Sequence, residues 1–279
     1  MNQNQHQTNE ERLTGGNVNE LVRIGDTVRR PTGFWSPNIH ALLQHLEQQQ
    51  FAGAPRFFGV DEEGREIVSF LPGEVAGNDY PELKPYMWSD GVLADAARLL
   101  RRYHDATLGF IPLAEGQWQH IYTGTEAHEV ICHNDAALYN MVFQNERPVA
   151  LIDFDTAGPG PRMWDIAYSL YTCAPLAGFA PDYTTGSTVA YEAGLHGADR
   201  GRRIHLFFEA YGLPVPKDLK SWIIRRLHAM CDTLRKGAAE GHPGFVAMVE
   251  EGHLTHYERE IEFVSSHYGE WIMPEHVRE

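Results

Sequence analysis

Two neighbouring segments, ICHNDAALYN at residues 131–140 and VALIDFD at residues 149–155, decide how this chain folds and what it binds. Each segment joins a run of apolar, strand-forming residues to acidic and amide side chains. If the two segments pair as an antiparallel hairpin, Asn140 lies opposite Asp153. Both side chains offer oxygen atoms, which are the ligands that Mg²⁺ prefers. The pair therefore predicts a magnesium site.

The register of this hairpin follows from its expected strands. Strands are predicted at residues 139–143 and 149–154, joined by a turn over residues 145–147. Pairing Asn140 with Asp153 then leaves Phe143 opposite Ala150. Asp155 lies two residues beyond Asp153, so it projects to the same side if the strand continues, and we expect it near the metal or a water.

The same segments contain the groups that phosphoryl transfer requires. That reaction needs a carboxylate to orient the attacking hydroxyl and accept its proton, together with ligands that hold Mg²⁺ on the phosphates. Asp135 is the candidate base and Asn140 the candidate ligand, because the order H-x-D-x-x-x-x-N matches a catalytic-loop pattern. His133 is expected to brace this loop by hydrogen bonding. The alternative is an ordinary polar turn containing a buried histidine.

Residues 13–73 are predicted to form a small lobe rich in β-structure. A glycine-aspartate turn and an acidic glycine turn each separate two strand-like runs, and a helical pattern follows Pro37. The strands are expected at residues 20–24, 27–30, 56–60 and 66–71. Pro72 and Gly73 end the lobe as a candidate hinge. Residues 1–12 are polar and are expected to be a disordered tail.

Residues 74–279 are predicted to form a larger, mostly helical lobe with a small sheet in its front half. Apolar residues recur at helical spacing in four segments. These segments are residues 93–104, 202–211, 219–236 and 255–268. The fold class is therefore α+β with two unequal lobes.

Charge and cysteine content exclude several classes of function. The chain has 279 residues and a formal net charge of −15, a field that repels nucleic acid and anionic membrane surfaces and attracts cations. Three separated cysteines give no disulfide framework, and no apolar run is long enough to span a membrane. We therefore expect a cytoplasmic protein with a small, cationic partner.

Residues 131–167 resemble the aminoglycoside phosphotransferase family, which has a bilobal protein-kinase-like fold and phosphorylates antibiotics, choline and other small alcohols. The resemblance implies ATP or GTP as co-substrate. It implies that Asp135 is the catalytic base and that Asn140 and Asp153 bind Mg²⁺. The segment from Trp164 to Ala167 matches a structural motif of the family, in which Asp165 would support the catalytic loop.

The nucleotide site is expected in the small lobe. Gly15 and Gly16 precede a strand, and their backbone N–H groups are candidates for phosphate contact. The alternative is a plain turn. By resemblance, the hinge backbone at Ser69 and Leu71 would bind the purine edge.

The family places a basic residue on the third strand, and this chain has arginines there instead of lysine. Strand parity favours Arg29 for phosphate contact, with Arg30 as the second choice. An arginine fork binds phosphate through two parallel hydrogen bonds. The acidic partner expected on the following helix is missing, because His40 falls near its position and Glu47 lies two turns later.

Acidic residues between 240 and 262 are the one sequence feature that suggests a site for an amine-bearing substrate. A solvated helix face is the simpler interpretation of this acidic run.

Two other functions remain as alternatives to a small-molecule kinase. One is a kinase-like protein that sequesters a small molecule or toxin, suggested by the arginine and the missing acid. The other, weaker one is a metal-dependent hydrolase built on His133, Asp135, Asp153 and Asp155.

Overall fold

The computed structural model describes residues 10–13 and 21–272, which form a small sheet-rich lobe and a larger helical lobe. The small lobe is one antiparallel sheet of five strands. Its strands are β1 (Glu10–Leu13), β2 (Leu21–Ile24), β3 (Thr27–Arg30), β4 (Phe57–Val60) and β5 (Glu66–Ser69), in the spatial order β1-β2-β3-β5-β4. The two predicted hairpins are confirmed as β2–β3 and β4–β5.

The predicted tail over residues 1–12 overlaps the first strand. Residues 10–12 belong to β1, which extends the edge of the sheet by pairing with β2. This boundary is corrected because the polar side chains of an edge strand do not prevent its backbone from pairing. Residues 1–9 and the predicted phosphate-binding Gly15 and Gly16 lie outside the described residues.

A single helix, α1 (Ser36–Gln48), connects β3 to β4. Its apolar residues recur at helical spacing and are buried, as the sequence predicted. They are Ile39, Leu42, Leu43 and Leu46. This buried stripe fixes which face of the helix points away from solvent and therefore where His40 lies.

The larger lobe contains six helices and three pairs of short antiparallel strands among the described residues. The helices are α2 (Asp90–Ala106), α3 (Arg162–Cys173), α4 (Ala193–Tyr211), α5 (Leu219–Ala239), α6 (Pro243–Glu250) and α7 (His253–Ile272). The paired strands are β6 (Val130–Cys132) with β9 (Gly158–Gly160), β7 (Met141–Gln144) with β8 (Arg147–Leu151), and β10 (Phe179–Pro181) with β11 (Thr188–Ala190).

The β7–β8 hairpin has a different register from the predicted one. Val142, not Phe143, lies opposite Ala150, and an irregularity follows between Val142 and Phe143. The turn contains two residues rather than three, because Asn145 and Glu146 both adopt positive φ angles, of 50° and 61°. Such a two-residue turn matches the twist of the strands and shifts the pairing.

The two lobes are connected at Pro72 and Gly73, where a hinge was predicted. A Cβ atom on Gly73 would lie 2.6 Å from the carbonyl oxygen of Phe143, so only glycine allows this close approach. Glu74 and Phe143 then exchange two backbone hydrogen bonds of 2.9 and 2.7 Å. The connection is therefore joined directly to the hairpin that carries the predicted site.

Across residues 10–13 and 21–272, no helix has the length and apolar character needed to cross a membrane. Cys132, Cys173 and Cys231 are buried and carry free thiols. Burial in an apolar environment disfavours the thiolate and raises the pKa of Cys132 and Cys173. These cysteines are structural core residues.

Candidate active site

Asp165, at the start of α3, holds the loop that follows β6. Its carboxylate accepts backbone hydrogen bonds from His133 at 2.7 Å and Asn134 at 2.9 Å, and a side-chain bond from His104 Nε2 at 2.9 Å. Burial disfavours its charge, but these hydrogen bonds outweigh burial and hold the pKa of Asp165 below its ordinary value. The predicted support of the loop by Asp165 is confirmed, and His104 is a partner that the sequence did not reveal.

His133 connects this loop to the acidic segment after β8. Its Nε2 atom donates to the carbonyl oxygen of Ile152 at 3.0 Å, and its own carbonyl accepts from Thr156 Oγ1 at 3.0 Å. Burial lowers the pKa of His133, so the ring is neutral at physiological pH. The predicted bracing role of His133 is confirmed.

Asp135 is half-buried, and one hydrogen bond reaches each of its carboxylate oxygens. Tyr139 donates its hydroxyl to Oδ1 at 2.6 Å, and Asn140 donates Nδ2 to Oδ2 at 2.8 Å. Burial raises the pKa of Asp135 to about 6; the hydrogen bonds oppose this and the charge of Asp153 adds to it. A carboxylate with this pKa is ionised at neutral pH and is a competent proton acceptor.

A chain of tyrosine hydroxyls extends from Asp135 into the large lobe. Tyr139 contacts the hydroxyl of Tyr168 at 2.8 Å, which contacts that of Tyr257 at 3.3 Å. Tyr168 and Tyr257 were not predicted as site residues, because they lie on α3 and α7 and no local pattern relates them to Asp135. Together they fix the hydroxyl that holds the candidate base.

Asp153 lies where the acidic segment turns away from β8. Its backbone adopts the left-handed conformation, with φ 63° and ψ 68°, which a non-glycine residue maintains only at some cost in free energy. The side chain is 55% exposed, whereas that of Asp155 is 15% exposed. The backbone N–H of Ile152 donates to the carbonyl oxygen of Asn140 at 3.0 Å, so Asn140 lies opposite Ile152 and the predicted pairing of Asn140 with Asp153 is wrong by one residue. Asp153 is the next residue after Ile152, at the turn.

Arg30, at the end of β3 in the small lobe, contacts this acidic turn of the larger lobe. Its Nη2 atom contacts Asp155 and lies 3.5 Å from Oδ1 of Asp153. On the small-lobe side, Nε lies 2.7 Å from Oε1 of Glu66. Burial disfavours the charge, but the surrounding carboxylates outweigh it and raise the pKa of Arg30. Burial disfavours the charge of Asp155 as well and raises the pKa of its carboxyl group to about 6, although the positive charge of Arg30 opposes this rise.

Arg29, the predicted phosphate contact, lies against other residues than the acidic turn. Its guanidinium donates to Thr27 Oγ1 at 2.6 Å and lies 3.7 Å from Asp61, away from the acidic turn. The alternation of side chains correctly placed Arg29 and Thr27 on one face of β3, but the residues that contact Asp153 and Asp155 come from the other face. Arg30 is the arginine that faces Asp153.

The predicted purine-binding hinge begins at Ser69, the last residue of β5. The N–H of Ser69 donates to the carbonyl oxygen of Arg56 at 2.8 Å, and its Oγ accepts from the Arg56 N–H at 2.9 Å. The N–H of Ser69 is therefore bound to Arg56, the residue that precedes β4. Leu71 lies two residues further on, next to the interlobe connection.

The donor set around Asn140 fits a magnesium ion. An ionised Asp135 can only accept, so its contact with Asn140 must use the amide nitrogen, which leaves Oδ1 of Asn140 available. Asp153 adds exposed carboxylate oxygens. Within the ranges that the structure describes, no three histidine, cysteine or acidic residues form a metal cluster. Few protein ligands suit Mg²⁺, because phosphates and water complete its octahedron.

The acidic residues between 240 and 262 do not share one role. Glu260 is buried and accepts hydrogen bonds from Tyr171 at 3.2 Å and from the Gly178 backbone at 3.0 Å. Glu258 is exposed and pairs with Arg235 at 2.6 Å. Glu260 is therefore a core residue rather than part of a substrate-facing surface.

Comparison with known proteins identifies the family. A model of the phosphotransferase enzyme family matches residues 113–203, which include Asp135, Asp153 and Asp165. A trifolitoxin immunity protein of Rhizobium leguminosarum bv. trifolii is 34% identical over 206 residues, covering 72% of this chain and 73% of that protein. The chain belongs to the phosphotransferase enzyme family.

Solved structures show that this phosphotransferase has the kinase-like bilobal fold. An amicoumacin kinase in complex with AMP-PNP, Ca²⁺ and Ami has a TM-score of 0.62 at 12% identity, covering 91% of this chain and 87% of that one. The GDP complex of an aminoglycoside 2'-phosphotransferase-IIIa has a TM-score of 0.56 at 13% identity, covering 92% of each chain. A choline/ethanolamine kinase family protein from Mesorhizobium loti has a TM-score of 0.54 at 16% identity, covering 95% and 92%.

Proposed function

We propose that this phosphotransferase is a cytoplasmic, Mg²⁺-dependent kinase that moves the γ-phosphate of ATP or GTP to a hydroxyl of a small, cationic molecule. The observation that carries the proposal is the environment of Asp135. Its two oxygens are held by Tyr139 and Asn140 beside an exposed Asp153. A cytoplasmic location agrees with the free cysteine thiols and with the supply of nucleoside triphosphate.

The residues of the chain divide the work between the acceptor and the phosphates. Asp135 orients the acceptor hydroxyl and takes its proton on a carboxylate oxygen as the oxygen attacks phosphorus. Asn140 and Asp153 would hold Mg²⁺, which neutralises charge on the phosphates when bound. Arg30 places a fixed positive charge on the small-lobe side of the site, facing Asp153. This charge would favour binding of the negatively charged triphosphate.

The proposed acceptor is an aminoglycoside or an amino-alcohol. Support comes from the net charge of −15, because it raises the local concentration of cations, and from the relatives whose structures include an aminoglycoside phosphotransferase. A panel of nucleotides with and without Mg²⁺ in a thermal-shift assay identifies the co-substrate. Acceptors are then added, and release of nucleoside diphosphate is measured.

A second candidate is a protein that confers immunity by sequestering a small molecule or toxin without turnover. It is favoured by the 34% identity to a trifolitoxin immunity protein and by an arginine where the family has lysine. Tight ligand binding by isothermal titration, with unmodified ligand by mass spectrometry after incubation with Mg²⁺ and triphosphate, supports this candidate over the kinase.

A further inference from the structure

Arg30 and Glu66 are directly opposed across the β3–β5 pair. Cross-strand neighbours on one face of a sheet lie close enough for their side chains to interact. Here Nε of Arg30 lies 2.7 Å from Oε1 of Glu66, whose side chain is 4% exposed; the contact is an ion pair without hydrogen-bond geometry. This leaves the Nη2 side of the guanidinium directed to Asp153 and Asp155. The Nε edge of the guanidinium therefore lies against Glu66 in the small lobe, and the Nη2 edge faces the acidic turn of the larger lobe.

Glu66 is itself held from behind by helix α1. Nε2 of His40 lies 2.6 Å from Oε2 of Glu66, so the two carboxylate oxygens have separate partners. The His40 ring also stacks on Phe57, with ring centroids 3.9 Å apart. Phe57 lies on β4, next to β5. The carboxylate is thereby fixed in position by a neighbouring helix and a neighbouring strand.

The other acidic candidate for pairing with Arg30, Glu47, is engaged elsewhere. Its side chain lies 3.4 Å from Nε of Arg56 on the exposed surface. Among the small-lobe residues that the structure describes, Glu66 is thus the acidic residue that contacts Arg30, and it comes from a strand rather than from the helix.

We propose that Glu66 is the positioning residue for Arg30: its carboxylate attracts the Nε edge of the guanidinium as an ion pair, so that the Nη atoms are presented to the phosphates of the nucleotide. This inference rests on the proposed function. Arginine suits the arrangement better than lysine because a planar fork can bind a carboxylate at one edge and a phosphate at another, whereas an ammonium is a single point charge. Holding the fork before the nucleotide arrives reduces the ordering cost of binding.

The test is nucleotide affinity measured by isothermal titration, with Mg²⁺ and the non-hydrolysable analogues AMP-PNP and GMP-PNP. Glu66→Gln is expected to weaken binding by about tenfold to a hundredfold, since small misplacements of a positioned group have effects of this size. In turnover assays the KM for triphosphate rises more than kcat falls. Glu62→Gln removes the same charge from an exposed site on the β4–β5 turn and leaves affinity unchanged.

A double-mutant cycle separates positioning from simple stability. If Glu66 acts through Arg30, the double variant Arg30→Gln/Glu66→Gln binds no more weakly than Arg30→Gln alone. Additive losses, or wild-type affinity in Glu66→Gln, overturn the inference. Should Glu66→Gln fail to fold, His40→Ala replaces it, with a smaller loss expected in the wild-type background and none in the Arg30→Gln background.

The same measurements distinguish this inference from the proposed function. A wild-type protein that binds triphosphate but transfers no phosphate contradicts the kinase proposal, while the cycle on binding still tests Glu66. A wild-type protein that binds neither analogue overturns both. Wild-type turnover together with unchanged binding in Glu66→Gln overturns only the role of Glu66.

Discussion

The side chain of Asn140 donates a hydrogen bond from Nδ2 to Oδ2 of Asp135 at 2.8 Å. One amide thereby orients the candidate base with its nitrogen and retains its oxygen for a cation. The candidate base and metal ligand are therefore a single unit, and a change that keeps the metal-binding oxygen can still damage the base.

Asn140→Asp tests this coupling. The substitution retains oxygen ligands but places a second carboxylate against Asp135, and like charges at this distance raise a pKa and repel. We expect kcat to fall by at least about tenfold, in line with the loss of a general base. Asn145→Asp makes the same change in the exposed β7–β8 turn and should retain wild-type kcat. Wild-type turnover in Asn140→Asp contradicts the coupling.

Tyr139→Phe removes the hydroxyl that donates to Oδ1 of Asp135. Because that hydrogen bond stabilises the ionised carboxylate, its loss raises the pKa of Asp135 above about 6. The base is then protonated over more of the acidic range, so kcat should fall more at pH 6 than at pH 8. Tyr183→Phe, which removes an exposed hydroxyl bonded to Asp199, is the control. An equal effect at both pH values counts against Asp135 as the titrating base.

Asp165→Ala should lower the free energy of unfolding by about 3–5 kcal/mol in urea titrations, because it removes a buried charge and leaves its donors unpaired. Asp232→Ala, at an exposed pair with Arg235, should cost about 0–1 kcal/mol. The pKa of Asp165 is lower in the folded protein than in the unfolded chain. The ionised carboxylate therefore stabilises the fold at pH values above the ordinary aspartate pKa, and this contribution is lost as the pH falls through the pKa of the folded state. The difference between wild type and Asp165→Ala should be constant from about pH 7 to 5 and shrink below about pH 4. A difference that grows on acidification contradicts the assignment.

Arg30→Lys and Arg29→Lys form a matched pair on one strand. A lysine at position 30 has one charged group for both Glu66 and the phosphates, so triphosphate affinity should fall by roughly tenfold. Arg29 contacts Thr27 and Asp61, and its replacement should leave affinity within about twofold. Titration of a non-hydrolysable triphosphate measures both. If Arg29→Lys loses more triphosphate affinity than Arg30→Lys, Arg29 rather than Arg30 contacts the phosphates.

Local sequence patterns predicted the parts of the site that lie within one segment. Asp135 and Asn140 were selected from the order H-x-D-x-x-x-x-N within one loop, but the hydrogen bonds between them were not predicted. The pairing of β2 with β3 was predictable because a short turn joins them. Asp165 was predicted from its motif, but its hydrogen bonds to His133 and Asn134 required the position of α3.

Residues that depend on the arrangement of separate elements were not predictable. Glu66 becomes the partner of Arg30 only because β5 lies beside β3, and the sequence gives no strand order. Tyr257 joins the hydroxyl chain from a helix more than a hundred residues after Asp135. The register error at Ala150 arose from backbone dihedral angles in a two-residue turn that lacks the glycine usual in such turns.

The most direct test of the account is mass spectrometry of aminoglycosides and amino-alcohols incubated with Mg²⁺ and ATP or GTP. We predict that wild-type protein adds one phosphoryl group to a hydroxyl of an acceptor. Asp135→Asn should fold and bind nucleotide but react about 10²–10⁴-fold more slowly, the usual contribution of a general base. Wild-type rates in Asp135→Asn, or an acceptor that binds tightly to wild type and is recovered unmodified, would contradict the claim.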